Sequence, residues 1–476
     1  MNDSPNILFI FPDQWRYDGL SALGHPTAET PFLDDLMAGG TRFDCAYSNS
    51  PTCIPARACL MTGQTPAGTG RHGYQDGQPW PYRDVFPRLL RDAGYQTLLA
   101  GKTHFHPPRA HLGFEQLALY DNQRWSHDFQ SDYDRWLADK TGGQIQDTAQ
   151  QLHSNAMIVQ PWTHDESLHA SSWTVTVALD MLQRRDPTRP FLLQLGFHRP
   201  HPPLDPPVEY WRRFEHKPLP KIAVGDWARH FGERPWQPVP FSGQAPQNLL
   251  DRTRRAYYAQ LAHLDFQIGR MLRHLQLHGI LHNTLIVFAS DHGEMLGDHH
   301  LFSKMVPSEA AARVPLIITP PPGWRWPGGQ CVDRPVALHD LMSTLLEAGG
   351  VSIPDAVEGR SLLPFVRGES PDWREFIHFE HCHSQIGPWQ ALSDGTQKYV
   401  WQTETGEEWL FDLANDPDET RNLAGDPAWQ EALRTWRGRL AGQLTPYAEY
   451  GLVKDGKLVP GSVLPQTEEW VQREDR

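Results

Sequence analysis

Four apolar runs along the chain each break off in polar residues able to do chemistry. Asn6–Phe11 is a continuous hydrophobic stretch that ends in Pro12-Asp13-Gln14. Thr97–Ala100 ends in Gly101-Lys102-Thr103-His104, and Phe191–Leu195 ends in Gly196-Phe197-His198-Arg199-Pro200-His201. Thr284–Ala289 ends in Ser290-Asp291-His292. Runs this short and this apolar, without alternation, predict strands buried on both faces of a parallel sheet. Between them lie segments with helical spacing. Trp173, Val177, Met181 and Leu182 mark one; Tyr257, Leu261, Leu264, Ile268, Met271 and Leu275 mark another, closed by Gly279. Each precedes one of the runs, so the alternation predicts an α/β fold with a large, mostly parallel sheet flanked by helices. Ligands of such sheets bind beyond the C-terminal strand ends.

The pattern changes near residue 370. After Arg367-Gly-Glu-Ser-Pro-Asp372, short apolar runs alternate with turns: Glu375–Phe379, Trp389–Leu392, the Asp394-Gly turn, Lys398–Trp401 and Trp409–Leu413. This predicts a smaller α+β subdomain, residues 371–476, built on an antiparallel sheet with a helix near 428–440. Residues 1–370 are expected to form the larger α/β domain, which carries the strand-end chemistry. Positions 202–250, rich in proline, read as a long ordered excursion beside His201. The tail with Pro460 and Pro465 offers a route to a homo-oligomer.

Composition narrows the partners. Forty-three basic against 57 acidic residues give a net charge of −14, which argues against nucleic acid and anionic membrane. No run approaches the length of a membrane span. The start, Met1-Asn-Asp-Ser-Pro5, shows no signal-type segment, which leads to the expectation of a cytoplasmic protein. Five cysteines without paired spacing suggest neither a disulfide framework nor a zinc knuckle.

Cys53-Ile-Pro-Ala-Arg57 stands out from these scattered cysteines. Pro55 can open a helix and Gly63 can close it, which sets Cys53 at the positive end with Arg57 nearby. That is a setting for an anion and for a reactive thiol. Asp13, Gln14, Asp291 and His292 form a hard donor set suited to calcium, magnesium or manganese.

Several segments, in order, resemble the type I sulfatases of the alkaline-phosphatase-like superfamily, which also holds the phosphonate monoester hydrolases. They include Pro5–Gln14, Thr30–Phe43, Cys53–Gly63, Gly101–His104, His198–Pro203, Asp291–Lys304 and Gly406–Leu423. The resemblance implies an alkaline-phosphatase-like fold and metal-dependent hydrolysis of sulfate monoesters. Cys53 would be converted to a formylglycine nucleophile by a formylglycine-generating enzyme. Metal ligands would be Asp13, Gln14, residue 53, Asp291 and His292, holding one divalent cation, calcium first and manganese or magnesium as alternatives. Arg57, Lys102 and Lys304 would neutralise charge, His201 or Lys304 would protonate the leaving group, and His104 would be the base. His72, His198, His381 and His383 are candidates for substrate contact. Gln14 and His292 depart from many relatives and resemble phosphonate monoester hydrolases and choline-sulfatase-like enzymes. Phosphonate monoester or phosphodiester hydrolysis is therefore an alternative, and a non-catalytic binder of sulfated ligands a third. The alcohol part of the substrate, from a small molecule to a saccharide, stays open.

Overall fold

The computed structural model describes residues 4–121 and 129–472. The Asn6–Ile10 strand lies near the middle of an eight-stranded sheet, parallel to Phe191–Gly196 on one side and Thr284–Ala289 on the other. Gln96–Gly101 and Gln116–Leu119 extend the parallel order beyond Phe191–Gly196. On the far flank only Leu316–Thr319 is reversed; Thr41–Phe43 and Gln330–Val332 follow it and pair in parallel.

Because strand side chains alternate in direction, one strand feeds two cores. Leu8 and Ile10 pack with residues of the helices Ala170–Gln183 and Gln247–Leu277, while Ile7 and Phe9 pack with the layer of Cys53–Thr62, Phe86–Asp92 and Asp340–Ala348. The Gln247–Leu277 helix is longer than its apolar repeat suggested. Its first two turns are mostly polar apart from Leu249 and the buried Leu250, and they grow out of the proline-rich excursion, which itself holds the short helix Val208–Phe214. No helix of the described residues is long and apolar enough to cross a membrane.

The second sheet is an antiparallel meander of Ile377–His381, Trp389–Ser393, Gln397–Gln402 and Glu408–Asp412. One face packs on the helix Gln430–Gln443 through Leu392, Tyr399, Trp401, Leu433, Trp436 and Leu440. The other, with Phe379, Trp389 and Val400, packs against Tyr47 and Ala312 of the first body. The tail returns to the same chain, where the Gln466 carbonyl accepts from the backbone N–H groups of His72 and Gly73.

Candidate functional site

Parallel strands deliver Asp13, Lys102, His198 and Asp291 to one edge of the sheet, and the helix Cys53–Thr62 points its first residue at them. That helix starts after the extended Thr52 and stops at Gly63, whose φ of 66° lies in the left-handed region glycine adopts without cost. Ligand atoms of Asp13, Cys53, Asp291 and His292 lie within 4.8 Å of one another, all four residues buried. Cys53 Sγ is 3.3 Å from His292 Nε2 and 3.8 Å from Asp13 Oδ1.

Two cations balance the carboxylates. Arg57 Nη2 reaches Asp13 at 3.2 Å and Asp291 at 2.9 Å, and Lys102 Nζ sits 2.7 Å from Asp13. Burial alone would raise the Asp13 pKa, but Lys102 and then His201, His292 and Arg57 hold it well below the usual carboxylate range. His292 is set up as a ligand. Its Nδ1 lies 2.9 Å from the Gly293 carbonyl, which can only accept, so Nδ1 carries the proton in the neutral ring. The Nε2 lone pair then faces Asp13 Oδ1 and Asp291 Oδ1, each 3.7 Å away, an arrangement a bound cation would relieve. This donor set of oxygen and imidazole suits a hard or intermediate divalent cation.

A cavity of about 270 Å³ opens over Cys53, with Lys102, His104, His198, His201 and Lys304 in its lining. Both ring nitrogens of buried His198 and the Thr52 hydroxyl, which also line it, lack a hydrogen-bond partner among the described residues. Tyr74, Phe241 and Met305 supply apolar wall. Burial and then Lys304 push the His201 pKa well down; its Nδ1 is 2.8 Å from the Pro202 carbonyl. His104 moves the other way. Burial opposes its charge, yet Asp76 and the Cys53 thiol raise it to about 9.

Three supporting residues escaped the sequence reading. Asp76 stands 3.8 Å from His104 Nε2. Asp121 accepts from the backbone N–H groups of Thr103 and His104, and so anchors the loop carrying Lys102. Glu294 holds Gln14 and the Ser303 backbone. Glu294 lay within a motif already singled out; the two aspartates had no local signal, because their partners are set by the fold.

The expected substrate histidines divide. His198 is in the cavity lining, but His72, His381 and His383 are not. His72 is held between Glu380 at 2.7 Å and Glu468 at 3.0 Å, which leaves neither ring nitrogen for a substrate. His383 is exposed on the loop after Ile377–His381. His381 is buried next to Gly73, where burial and then His383 lower its pKa to about 3. Gln14 is buried beside the cluster, its backbone N–H 3.1 Å from Asp291 Oδ1 and its side-chain oxygen 2.6 Å from Lys304 Nζ.

Comparison with known proteins agrees with this geometry. The sulfatase family model matches residues 5–351, and that of the N-sulphoglucosamine sulphohydrolase C-terminal region matches 297–445. An arylsulfatase of Clostridium perfringens is 36% identical over 471 residues, covering 96% of this chain and 98% of its own. A choline-sulfatase of Rhizobium meliloti is 30% identical, over 89% of this chain and 83% of its own. The crystal structure of a phosphonate monoester hydrolase of Agrobacterium radiobacter superposes with a TM-score of 0.75 at 26% identity, covering 94% of this chain and 96% of the other. The chain therefore belongs to the sulfatase family, as a sulfuric ester hydrolase on an alkaline-phosphatase-like fold.

Proposed function

We propose that the protein hydrolyses small aryl sulfate esters with formylglycine formed from Cys53. The observation that carries this is the placement of Cys53 Sγ within the Asp13–Asp291–His292 cluster, on the floor of a cavity that also holds Lys102 and Lys304. Tyr74, Phe241 and Met305 give the cavity an apolar wall for a flat leaving group. The likeness to an arylsulfatase supports the same class.

Asp13, Gln14, Asp291 and His292, with residue 53, would hold one divalent cation, calcium first by the number of oxygen donors. Such a cation supplies Lewis-acid charge that makes a hydroxyl on residue 53 more acidic and offsets the charge of the sulfate. Lys102 and Lys304 oppose the negative charge on the sulfate oxygens, and Arg57 keeps both aspartates in place. Hydrated formylglycine carries two hydroxyls on one carbon. One of them, its proton given up to solvent, would attack sulfur in line as the ester S–O bond to the alcohol breaks.

Lys304 is the proton donor to the departing oxygen. His201 is the weaker candidate, since its Nδ1–H is committed to the Pro202 carbonyl and burial beside Lys304 keeps the ring neutral, with a lone pair on Nε2. His104, in its neutral form, is the base that then takes the proton of the second hydroxyl; part of the upward shift of its pKa comes from the Cys53 thiol, which conversion to formylglycine removes. Asp76 strengthens its hold on that proton. As the aldehyde re-forms, the bond between residue 53 and the sulfate oxygen breaks, and water rehydrates the aldehyde afterwards.

A second reading, phosphonate monoester hydrolysis on the same residues, is favoured by the Asp-Gln-Asp-His set and by the Agrobacterium radiobacter structure. One experiment separates the two. Protein with residue 53 shown by peptide mass spectrometry to be converted is assayed on a matched aryl sulfate and aryl phosphonate, before and after chelation and calcium return. Faster sulfate turnover that is lost and regained with calcium supports the proposal. Preference for the phosphonate reverses the order of the two readings, and turnover by unconverted protein removes formylglycine from the mechanism.

A further inference from the structure

We propose that Glu294 is a positioning residue that sets the direction of a hydrogen-bond relay through Gln14 to Lys304. Glu294 is 1% exposed. Its Oε1 accepts from the backbone N–H groups of Leu296 at 2.8 Å and Ser303 at 2.6 Å. Its Oε2 accepts from Gln14 Nε2. All three contacts are donors, the partner set of an ionised carboxylate. The Gln14 amide, fully buried, turns its other end to Lys304, whose Nζ donates to Oε1 at 2.6 Å.

An ammonium can only donate and a carboxylate can only accept, so the amide between them has one permitted orientation. That orientation presents the Gln14 carbonyl oxygen, not its NH2, on the side of Lys304 and the cavity. A carbonyl oxygen is a donor for a hard cation and an amide nitrogen is not. Gln14 thus keeps the chemistry of a ligand position at which a carboxylate would need no such guidance.

The backbone confirms that the arrangement is held from outside. Gln14, Ser303 and Met305 have φ values of 71°, 69° and 77°, a left-handed conformation that non-glycine residues adopt only under restraint. Ser303 and Met305 flank Lys304. Glu294 restrains Ser303, the Pro51 carbonyl accepts from the Met305 N–H at 2.9 Å, and Trp389 Nε1 donates to the Met305 carbonyl at 3.0 Å. Glu294 is the member of this set that touches both the Gln14 amide and the lysine loop.

The inference rests on Gln14 and Lys304 belonging to the sulfatase site, so its test includes a measurement that needs no turnover. In Glu294→Gln, Oε1 can still serve the two backbone N–H groups, but an NH2 then faces Gln14 Nε2. The Gln14 amide must reverse and present its own NH2 to Lys304. Calorimetric affinity for Ca2+ in unconverted protein is expected to fall about 10–100-fold, and kcat/KM for an aryl sulfate in converted protein by a similar factor. Gln14→Glu alone opposes two carboxylates and is also expected to lose both. The double variant Gln14→Glu/Glu294→Gln restores acceptor against donor at each contact and is expected to recover both quantities to within about tenfold of the parent.

Glu294→Gln within about twofold of the parent in both measurements overturns the proposal. So does a double variant that fails to fold or is no better than Glu294→Gln. Relay-dependent Ca2+ binding in a protein without sulfatase turnover would uphold the relay and defeat the aryl sulfatase reading.

Discussion

Two buried charge clusters of this molecule are built from similar parts and do different things. At the cavity, Lys102 and Arg57 meet Asp13 and Asp291. Where the second sheet meets the first body, Lys398 is fully buried with Glu309 at 3.0 Å, with Glu419, and with the Pro307 carbonyl at 2.7 Å. The Tyr47 hydroxyl also donates to Glu309. Burial raises Glu419 to about 7, while at Glu309 the same burial is outweighed by Lys398, which holds it low. The ammonium of Lys398 has three oxygen neighbours and does not line the cavity over Cys53. The first cluster borders a cavity with a hydroxyl and an imidazole that lack partners among the described residues, and a thiol sits among its acids. Buried charge alone therefore does not mark function. What marks it here is unmet hydrogen-bonding capacity facing a space that a tetrahedral anion can enter.

The sharpest test of the contrast is Cys53→Ser. Serine offers one hydroxyl, so it can be sulfated but cannot eliminate sulfate by forming an aldehyde. Steady-state turnover is expected to fall roughly 10⁴-fold or more. The melting temperature should barely move, and mass spectrometry should show a sulfated residue 53. Full turnover by the serine variant would break the comparison at its functional end.

Lys398→Met tests the other cluster. Removing the ammonium leaves two buried acids unpaired, for an expected loss of about 3–5 kcal/mol in unfolding experiments. The kcat per folded molecule should change less than about threefold. A large fall in kcat with stability intact would make this second cluster part of the reaction.

A third buried pairing sharpens the rule through pH. His72, between Glu380 and Glu468, is raised from the usual 6.5 to about 9; burial opposes this, but both carboxylates overcome it. The folded form holds its proton more tightly than the unfolded chain. Its stabilisation is therefore complete below about pH 6.5 and lost as pH rises through about 9, about 3 kcal/mol in all. Unfolding measured between those limits should show this decline in the parent and a flatter profile in His72→Gln. A fall in activity without a change in the stability profile would instead return His72 to the substrate site.

The chemistry at strand ends was legible because strand and ligand share a short stretch of chain. Asp13, Lys102, His198 and Asp291 each follow an apolar run by a few residues, and burial of those runs in one parallel sheet brings the four to one edge. Cys53 and Arg57 were legible because helix spacing and a Gly63 stop are local. The histidines were not. His72 and His381 carry the same side chain as His198, and what separates them is the neighbour across the fold. His72 meets Glu380, 308 positions away, and His198 meets open cavity. Glu294 and Gln14 are 280 positions apart, so no local pattern reveals which end of the amide faces Lys304.

By itself the sequence determined the layered α/β body, the antiparallel second sheet and the stock of groups at the strand ends, because hydrophobic periodicity and chain stops act over a few residues. Tertiary structure decided which acids and imidazoles are neutralised and which are left facing space. It also set the direction of each hydrogen bond, since charge state and donor orientation depend on neighbours that folding brings together from hundreds of residues away.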